Sequence, residues 1–215
     1  MRLIGLVGFA GSGKGTAGDI LVNEYSFVKD SFAAPLKDML AAMFVWPRHL
    51  LEGDTDESRE WREKVDPWWS DKLGIHEFSP RKAMQLIGTD TLRSHFNNNI
   101  WISSLERRLM LREGKKVVVT DCRFPNELDL LKRLGGIVVR IKRGTEPEWF
   151  DLAKEDNEFI TSNLSEYNTV LNMTQLYPTI HQSEWAWIGY PMDMTIENID
   201  GNIEALHDAV KQLVS

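Results

Sequence analysis

The residues with the most specific chemistry lie in the stretch GFAGSGKGT, which runs from Gly8 to Thr16. Its glycines allow the backbone to take positive φ and to approach a ligand closely, so that consecutive N–H groups can point at phosphate oxygens. An apolar, strand-like run precedes the stretch and an amphipathic helical pattern follows it, which is the context that a phosphate-binding loop requires. The pattern predicts that the phosphates of a nucleotide are bound by Gly11, Ser12, Gly13, Lys14, Gly15 and Thr16.

This loop departs from the strict pattern G-x-x-x-x-G-K-[ST], because Gly15 stands where a hydroxyl residue is expected and Thr16 follows one place later. The plainer alternative is a glycine-rich turn between a strand and a helix that binds nothing. The positions of Lys14 and Thr16 relative to the glycines favour the interpretation as a phosphate-binding loop. We expect Lys14 to be exposed and without a protein partner when no nucleotide is bound.

A second candidate site lies in VVVTDCRFPNE, residues 117–127, where a β-branched run ends in charged side chains. Open α/β sheets bind ligands at the carboxyl ends of their strands, so Asp121, Arg123 and Glu127 are placed to meet a substrate. A hydroxyl and a strand-end carboxylate hold Mg²⁺ in phosphate-loop enzymes, partly through water, which makes Thr16 and Asp121 the predicted metal ligands. The plainer alternatives are a helix cap or turn for Asp121 and a local ion pair for Arg123.

The arginines that could stabilise a transferring phosphoryl group also follow strand-like runs. Arg123 and Arg143 are the best placed, and with Lys14 and Asp121 they form the predicted catalytic set. Between Arg143 and Met192 the only Lys or Arg is Lys154, so this acidic, aromatic segment cannot supply an arginine-bearing lid. His181 and Glu184 are left outside the catalytic set.

Strand and helix patterns alternate along the elements that must position these residues. The strand-like runs at 2–7, 27–32, 115–121, 137–143 and 194–198 predict about five strands, and the helical patterns between them predict an α/β fold with a parallel sheet flanked by helices, as in P-loop NTPases. We interpret the chain as one kinase-like domain, 1–215, with a tryptophan-rich substrate-side insertion at 46–79 and a lid-like insertion at 144–192.

We also expect a binding face on one predicted helix and a core-facing side on another. Arg81, Gln85 and Gly88 fall at i, i+4 and i+7, so one face could offer a phosphate partner, an amide that reads a base edge, and room for close approach. A solvated surface helix is the plainer alternative. In the last helix, the inner face is predicted to carry Ile203, Leu206, Val210 and Leu213.

The composition and charge of the chain limit the kinds of molecule that the protein is expected to bind. The net charge of −7 argues against a nucleic-acid-binding surface, and no stretch is long and apolar enough to predict a membrane span or a signal peptide. Cys122 is the only cysteine, so no intramolecular disulfide can form, which fits a reducing compartment. We therefore expect a cytoplasmic protein that acts on small molecules; a homodimer is left open.

The motifs GFAGSGKGT, SPRKAMQLIGTDTLR, VVVTDCRFPNE and MTIEN follow the order found in deoxynucleoside monophosphate kinases of T-even bacteriophages, which this chain resembles outside 46–78 and 144–180. The G-K-G-T form also resembles the loop of adenylate kinase. The resemblance implies phosphorylation of deoxynucleoside monophosphates by ATP with Mg²⁺, in the host cytoplasm if the chain is phage-encoded. It implies that Gly11 to Thr16 bind ATP and that the acceptor is surrounded by Lys37, Arg81, Gly88, Thr89, Trp101, Asp121 and Arg123.

Two alternatives from the residues alone stay open. One is a phosphate-loop kinase of another small molecule, such as a nucleoside or a coenzyme precursor. The other is a nucleotide-binding module with little chemistry, although the chain contains no N-K-x-D guanine-recognition tetrad.

Overall fold

A five-stranded parallel sheet with β1 at its centre organises the computed structural model, which describes residues 2–112, 114–162, 172–199 and 202–214. The strands are β1 Arg2–Val7, β2 Phe27–Asp30, β3 Lys116–Val119, β4 Ile137–Lys142 and β5 Met194–Glu197, in the order β2-β3-β1-β4-β5. β1 pairs with β3 on one side and β4 on the other, so the loop after β1 leaves the sheet at a point where the strand order reverses. The predicted fold class is confirmed.

Ten α-helices accompany these strands in the described residues. Their bounds are α1 Lys14–Tyr25, α2 Ala34–Phe44, α3 Asp56–Glu63, α4 Pro67–Leu73, α5 Pro80–Gln85, α6 Ile100–Met110, α7 Pro125–Arg133, α8 Phe150–Ser162, α9 Met173–Leu176 and α10 Ile203–Val214. The chain divides into two compact units, one of Met1–Asp30 with Glu113–Ser215 and one of Ser31–Arg112.

The first unit contains the sheet. β1 and β3 are buried along most of their length, and β4 is buried at Val138, Val139 and Ile141, as their apolar residues predict for a sheet covered on both faces. α1 and α10 cover one side, where Leu206, Val210 and Leu213 join the core. Ile203 does not: it is 50% exposed, because it begins α10, before the helix reaches the sheet, and the prediction for it was wrong.

The second unit is helical in its described elements, and the predicted insertion 46–79 contributes buried aromatic residues, Trp46 and Phe78, to its interior. Phe44 stacks on Trp46 with ring centroids 4.5 Å apart, and Trp69 and Phe78 complete the aromatic cluster. The indole N–H of Trp46 donates to Asp66 Oδ2 at 2.9 Å. This segment has no clean helical period because short helices, α3 and α4, bring their tryptophans onto one cluster.

A π-helix, Leu86–Phe96, continues directly from α5, where the sequence predicts an ordinary helix. Hydroxyls of Thr91 and Ser94 donate to the carbonyls of Leu86 and Thr89, five residues earlier, as the wider turn requires. None of the helices in the described part of the chain combines the length and apolar character needed to cross a bilayer. Within the predicted lid-like insertion, residues 163–171 lie outside the described residues.

Candidate functional site

The glycine-rich loop leaves the carboxyl end of β1 and leads into α1. Gly8, Gly11 and Gly13 have φ of 145°, 75° and 101°, and a Cβ on Gly8 would lie 2.3 Å from the carbonyl oxygen of Ile141. No side chain caps α1 at Gly13, so the first N–H groups of this 12-residue helix are directed toward the loop. A helix start of this kind attracts anions.

Lys14 lies within this loop rather than in solvent. Its Nζ donates to the carbonyl oxygens of Gly8 and Phe9, each at 2.7 Å, and the residue is half-buried. The prediction of an exposed and unpaired Lys14 was therefore wrong, because the loop's own carbonyls solvate the ammonium group. The pKa of Lys14 is lowered from 10.5 to about 8, chiefly by burial and also by the nearby Arg123, while the carboxylates of Glu184 and Asp121 and the Cys122 thiol partly oppose the shift.

Ser12 supplies an unsatisfied polar group at the base of the same loop. The residue is 4% exposed, and its Oγ has no hydrogen-bond partner within the described residues. A Cβ on Gly11 or Gly15 would meet no atom within 4 Å, so open space adjoins these two glycines. An unmet hydroxyl, an exposed Thr16 and this open space fit a ligand rich in acceptor oxygens, such as a polyphosphate.

Arg123 is held in place by the turn of Gln182–Glu184. Its Nη1 donates to Glu184 Oε1 at 2.6 Å and to Ser183 Oγ at 3.3 Å. The ion pair foreseen as the plainer alternative is thus present, and it also orients a guanidinium that lies close enough to Lys14 to influence its pKa.

Glu127 supports this segment from the inside. It is 2% exposed, and its Oε2 accepts the backbone N–H of Arg123 at 2.8 Å and of Phe124 at 3.1 Å, at the start of α7. A buried carboxylate used in this way is a helix cap. The structure therefore gives no support to the predicted contact between Glu127 and the substrate.

The other strand ends bring further residues to the loop. Asp121 follows β3 by two residues and is half-buried, close enough to Lys14 to act on its pKa. Arg143, directly after β4, donates from Nη1 to the carbonyl oxygen of Gly11 at 3.3 Å. Asn198, directly after β5, donates from Nδ2 to the carbonyl oxygen of Ser12 at 2.8 Å. All four predicted catalytic residues thus lie at or near this loop, and Arg143 reaches it through its hydrogen bond to Gly11.

In the second unit, the predicted acceptor residues have partners of their own. Arg81, on α5, lies with Nε 3.7 Å from Glu63 Oε1. Lys37 is buried and its Nζ donates to Glu52 Oε2 at 2.5 Å, while Arg48 binds the other oxygen of that carboxylate. Burial raises the pKa of Glu52, but Lys37 and Arg48 outweigh it and hold that pKa below its usual value.

Gly88 and Trp101 have packing roles. A Cβ on Gly88 would lie 2.4 Å from Leu36 Cδ2, so the close approach expected at this glycine is made by α2. The indole N–H of Trp101, which is 9% exposed, donates to the carbonyl oxygen of Gly88 at 2.9 Å. These contacts satisfy both residues without a ligand. Gln85 ends α5 and Thr89 lies in the π-helix, both half-buried.

Two residues of the site were missed from the sequence. Glu184 was left out although it pairs with Arg123, because its partner is 61 residues away in the chain. Asn198 ends the strand-like run MTIEN, and its place at the carboxyl end of a predicted strand was the available signal.

Comparisons with known proteins indicate the family to which the chain belongs. A model of the family described as deoxynucleotide monophosphate kinase matches residues 54–163. A protein of Acanthamoeba polyphaga mimivirus named as a deoxynucleotide monophosphate kinase is 36% identical over 154 residues, covering 66% of this chain and 75% of its own. The deoxynucleoside-5'-monophosphate kinase of Escherichia phage T5 is 27% identical over 180 residues, covering 60% of this chain and 71% of its own.

Among solved structures, dephospho-CoA kinase from Campylobacter jejuni aligns over 99% of this chain and 96% of its own, with 18% identity and a TM-score of 0.45. The family match spans about half of the chain, and the mimivirus relative is covered over three quarters of its length. From these two findings, the protein is a member of the deoxynucleotide monophosphate kinase family.

Proposed function

We propose that this kinase transfers the γ-phosphoryl group of ATP to a deoxynucleoside monophosphate, with the loop Gly11 to Thr16 holding the phosphates of ATP. The observation that supports this assignment best is the convergence on one loop: Lys14 lies near Arg123 and Asp121, and Arg143 donates to the loop's backbone. A helix start, an unmet Ser12 hydroxyl and two cationic side chains are what a polyphosphate requires.

The chain's own residues would act by placement and charge. Lys14 would exchange its two carbonyl partners for phosphate oxygens, which relieves the desolvation that lowers its pKa. Arg123, already oriented by Glu184, would neutralise charge that grows on the transferring group. Transfer by in-line displacement needs no covalent enzyme intermediate, so positioning and electrostatic stabilisation are sufficient.

Mg²⁺ fits the donor set of the site. The exposed hydroxyl of Thr16 and the carboxylate of Asp121 are oxygen ligands, and Mg²⁺ is commonly bound by one or two protein oxygens together with substrate phosphates and water. When bound, the ion neutralises charge on the phosphates during transfer. The negative charge of Asp121 would also attract the ion to the loop and offset the repulsion between the positive charges of Lys14 and Arg123.

The acceptor is proposed to bind in part through the second unit. Arg81 and Gln85 lie four residues apart on α5, and Thr89 follows on the π-helix. Arg81 Nε lies 3.7 Å from Glu63 Oε1, and we assign its guanidinium to the phosphate of the acceptor. Lys37 donates to Glu52, so we assign it an indirect role through that ion pair.

An ADP-release assay tests the proposal, with ATP and, in turn, no acceptor, each ribo- and deoxynucleoside monophosphate, nucleosides and coenzyme precursors. We expect ADP release to depend on a deoxynucleoside monophosphate. Equal release without any acceptor, or release only with nucleosides or coenzyme precursors, would contradict it.

A further inference from the structure

Asn198 makes the contact with the phosphate loop that the proposed reaction does not yet explain. Its Nδ2 donates to the carbonyl oxygen of Ser12 at 2.8 Å. A Cβ on Gly13 would lie 2.3 Å from that same Nδ2, so the side chain lies directly against the Ser12–Gly13 peptide. Gly13 has φ of 101°, and the absence of a side chain there is what allows this approach.

This hydrogen bond fixes the direction of one backbone N–H. The peptide group is planar and trans, so its carbonyl and its N–H point to opposite sides. Because Asn198 holds the Ser12 carbonyl on one side, the N–H of Gly13 must face the other side of the peptide. The N–H of Gly13 belongs to the loop that is proposed to bind phosphate.

Asn198 is itself held by the sheet. β5 pairs with β4 up to Lys142 and Glu197, and the backbone N–H of Asn198 then donates to the carbonyl oxygen of Lys142 at 2.7 Å. The side chain therefore extends from an anchored position. Arg143, the next residue on β4's side, contacts the neighbouring carbonyl of Gly11. The residues that follow β4 and β5, two neighbouring strands, thus both donate hydrogen bonds to backbone carbonyls of the loop.

We infer that Asn198 is a positioning residue for the donor nucleotide: it orients the Ser12–Gly13 peptide so that the loop can bind the phosphates of ATP. The inference rests on the proposed function of the loop. It assigns the end of β5 a part in the affinity for ATP and none in the affinity for the acceptor.

Three variants of the full chain test this role. Asn198→Ala removes the donor, and Asn198→Asp keeps the shape but places a carboxylate against the Ser12 carbonyl. The matched control is Asn202→Ala, since Asn202 uses its Oδ1 to accept the N–H of Ala205 at the start of α10 and gives a purely structural loss in the same segment. Circular dichroism and the melting temperature establish folding for each variant.

The measurements are KM for ATP, KM for the acceptor, and direct calorimetric titration with ATP. Asn198→Ala should weaken ATP binding roughly three- to ten-fold, as expected for one neutral hydrogen bond, and Asn198→Asp should weaken it more. KM for the acceptor should stay within about twofold of the wild type. Asn202→Ala should lower the melting temperature and leave ATP affinity unchanged.

The inference is overturned if Asn198→Ala and Asn198→Asp bind ATP as the wild type does, or if they lose ATP and acceptor affinity equally. If Asn198→Ala does not fold, Asn198→Asp decides the matter alone. A failure of phosphoryl transfer in the wild type would contradict the proposed function, whereas the calorimetric result with ATP still decides the role of Asn198.

Discussion

Lys14 has an environment that differs strongly from that of a solvated side chain. Because burial and the nearby Arg123 lower its pKa to about 8, the positive charge that must meet the phosphates is lost as the pH rises above that value. The dissociation constant for ATP should therefore be flat below pH 8 and rise by up to about tenfold per pH unit above it. Calorimetric titration between pH 7 and 9.5 measures this directly.

The matched variant for this pH profile is Lys14→Arg, whose charge does not titrate in the range and whose ATP affinity should be independent of pH. A profile shared by both proteins would remove Lys14 as the cause. The sign for stability is opposite: the unfolded chain holds the Lys14 proton more tightly, so the cost of burying the charged group falls, and the free energy of unfolding of the unliganded protein rises, as the pH increases from about 8 to 10.5.

Arg81 and Arg123 should contribute to different steps. Arg81 is proposed to hold the monophosphate equally before and during transfer, so Arg81→Lys, which loses the bidentate fork, should mainly raise KM for the deoxynucleotide. Arg123 should meet charge that grows during transfer, so Arg123→Lys should mainly lower kcat, about ten- to a thousand-fold for roughly 1.5 to 4 kcal/mol. Steady-state kinetics with saturating ATP separates the two, and reversed effects would show that these roles are wrongly divided.

Asp121 is the predicted carboxylate of the metal site. Asp121→Asn keeps the shape but removes the charge, so the Mg²⁺ concentration for half-maximal rate should rise, while added metal restores much of the rate. A Mg²⁺ titration of wild type and variant at fixed ATP tests it. An unchanged titration would place Asp121 outside the metal's ligands.

At the scale of elements, two glycines in helical segments should respond differently to the same added methyl group. Gly88→Ala meets Leu36 and should lower the free energy of unfolding by about 1 to 3 kcal/mol with little effect on ATP affinity. Gly15→Ala meets no protein atom and lies in the first turn of α1, so stability should hold while ATP binding weakens. Denaturant unfolding and ATP titration of both variants decide this, and a loss of ATP affinity in Gly88→Ala alone would contradict the assignment.

Periodicity was enough to predict most elements, since β1, β3 and β4 are continuous apolar runs and α10 carries a strong apolar face. It could not predict the π-helix, because a π-helix differs from an α-helix in hydrogen bonding rather than in residue pattern. The hydrogen-bond partners of Lys14 could not be predicted either, because every residue has a backbone carbonyl and the sequence does not indicate which ones a lysine will contact. Glu184 and Asn198 reach the site only through contacts between distant segments.

At the scale of the whole molecule, this family member is proposed to move a phosphoryl group from ATP to a deoxynucleoside monophosphate through the loop Gly8 to Thr16. The single domain with two insertions remains a prediction; the chain divides into two compact units. The lid-like segment contains Lys154 as its only Lys or Arg, so the cations for transfer must come from the loop and the strand ends.

The most direct measurement is to follow label from ATP, labelled on its γ-phosphate, into the deoxynucleoside diphosphate with wild type and with Lys14→Ala. Wild type should transfer the label, and a folded Lys14→Ala should transfer it more than tenfold more slowly, a loss exceeding about 1.4 kcal/mol. Circular dichroism confirms that the variant is folded. Label released as free phosphate without reaching the acceptor, or transfer retained in Lys14→Ala, would contradict the central claim.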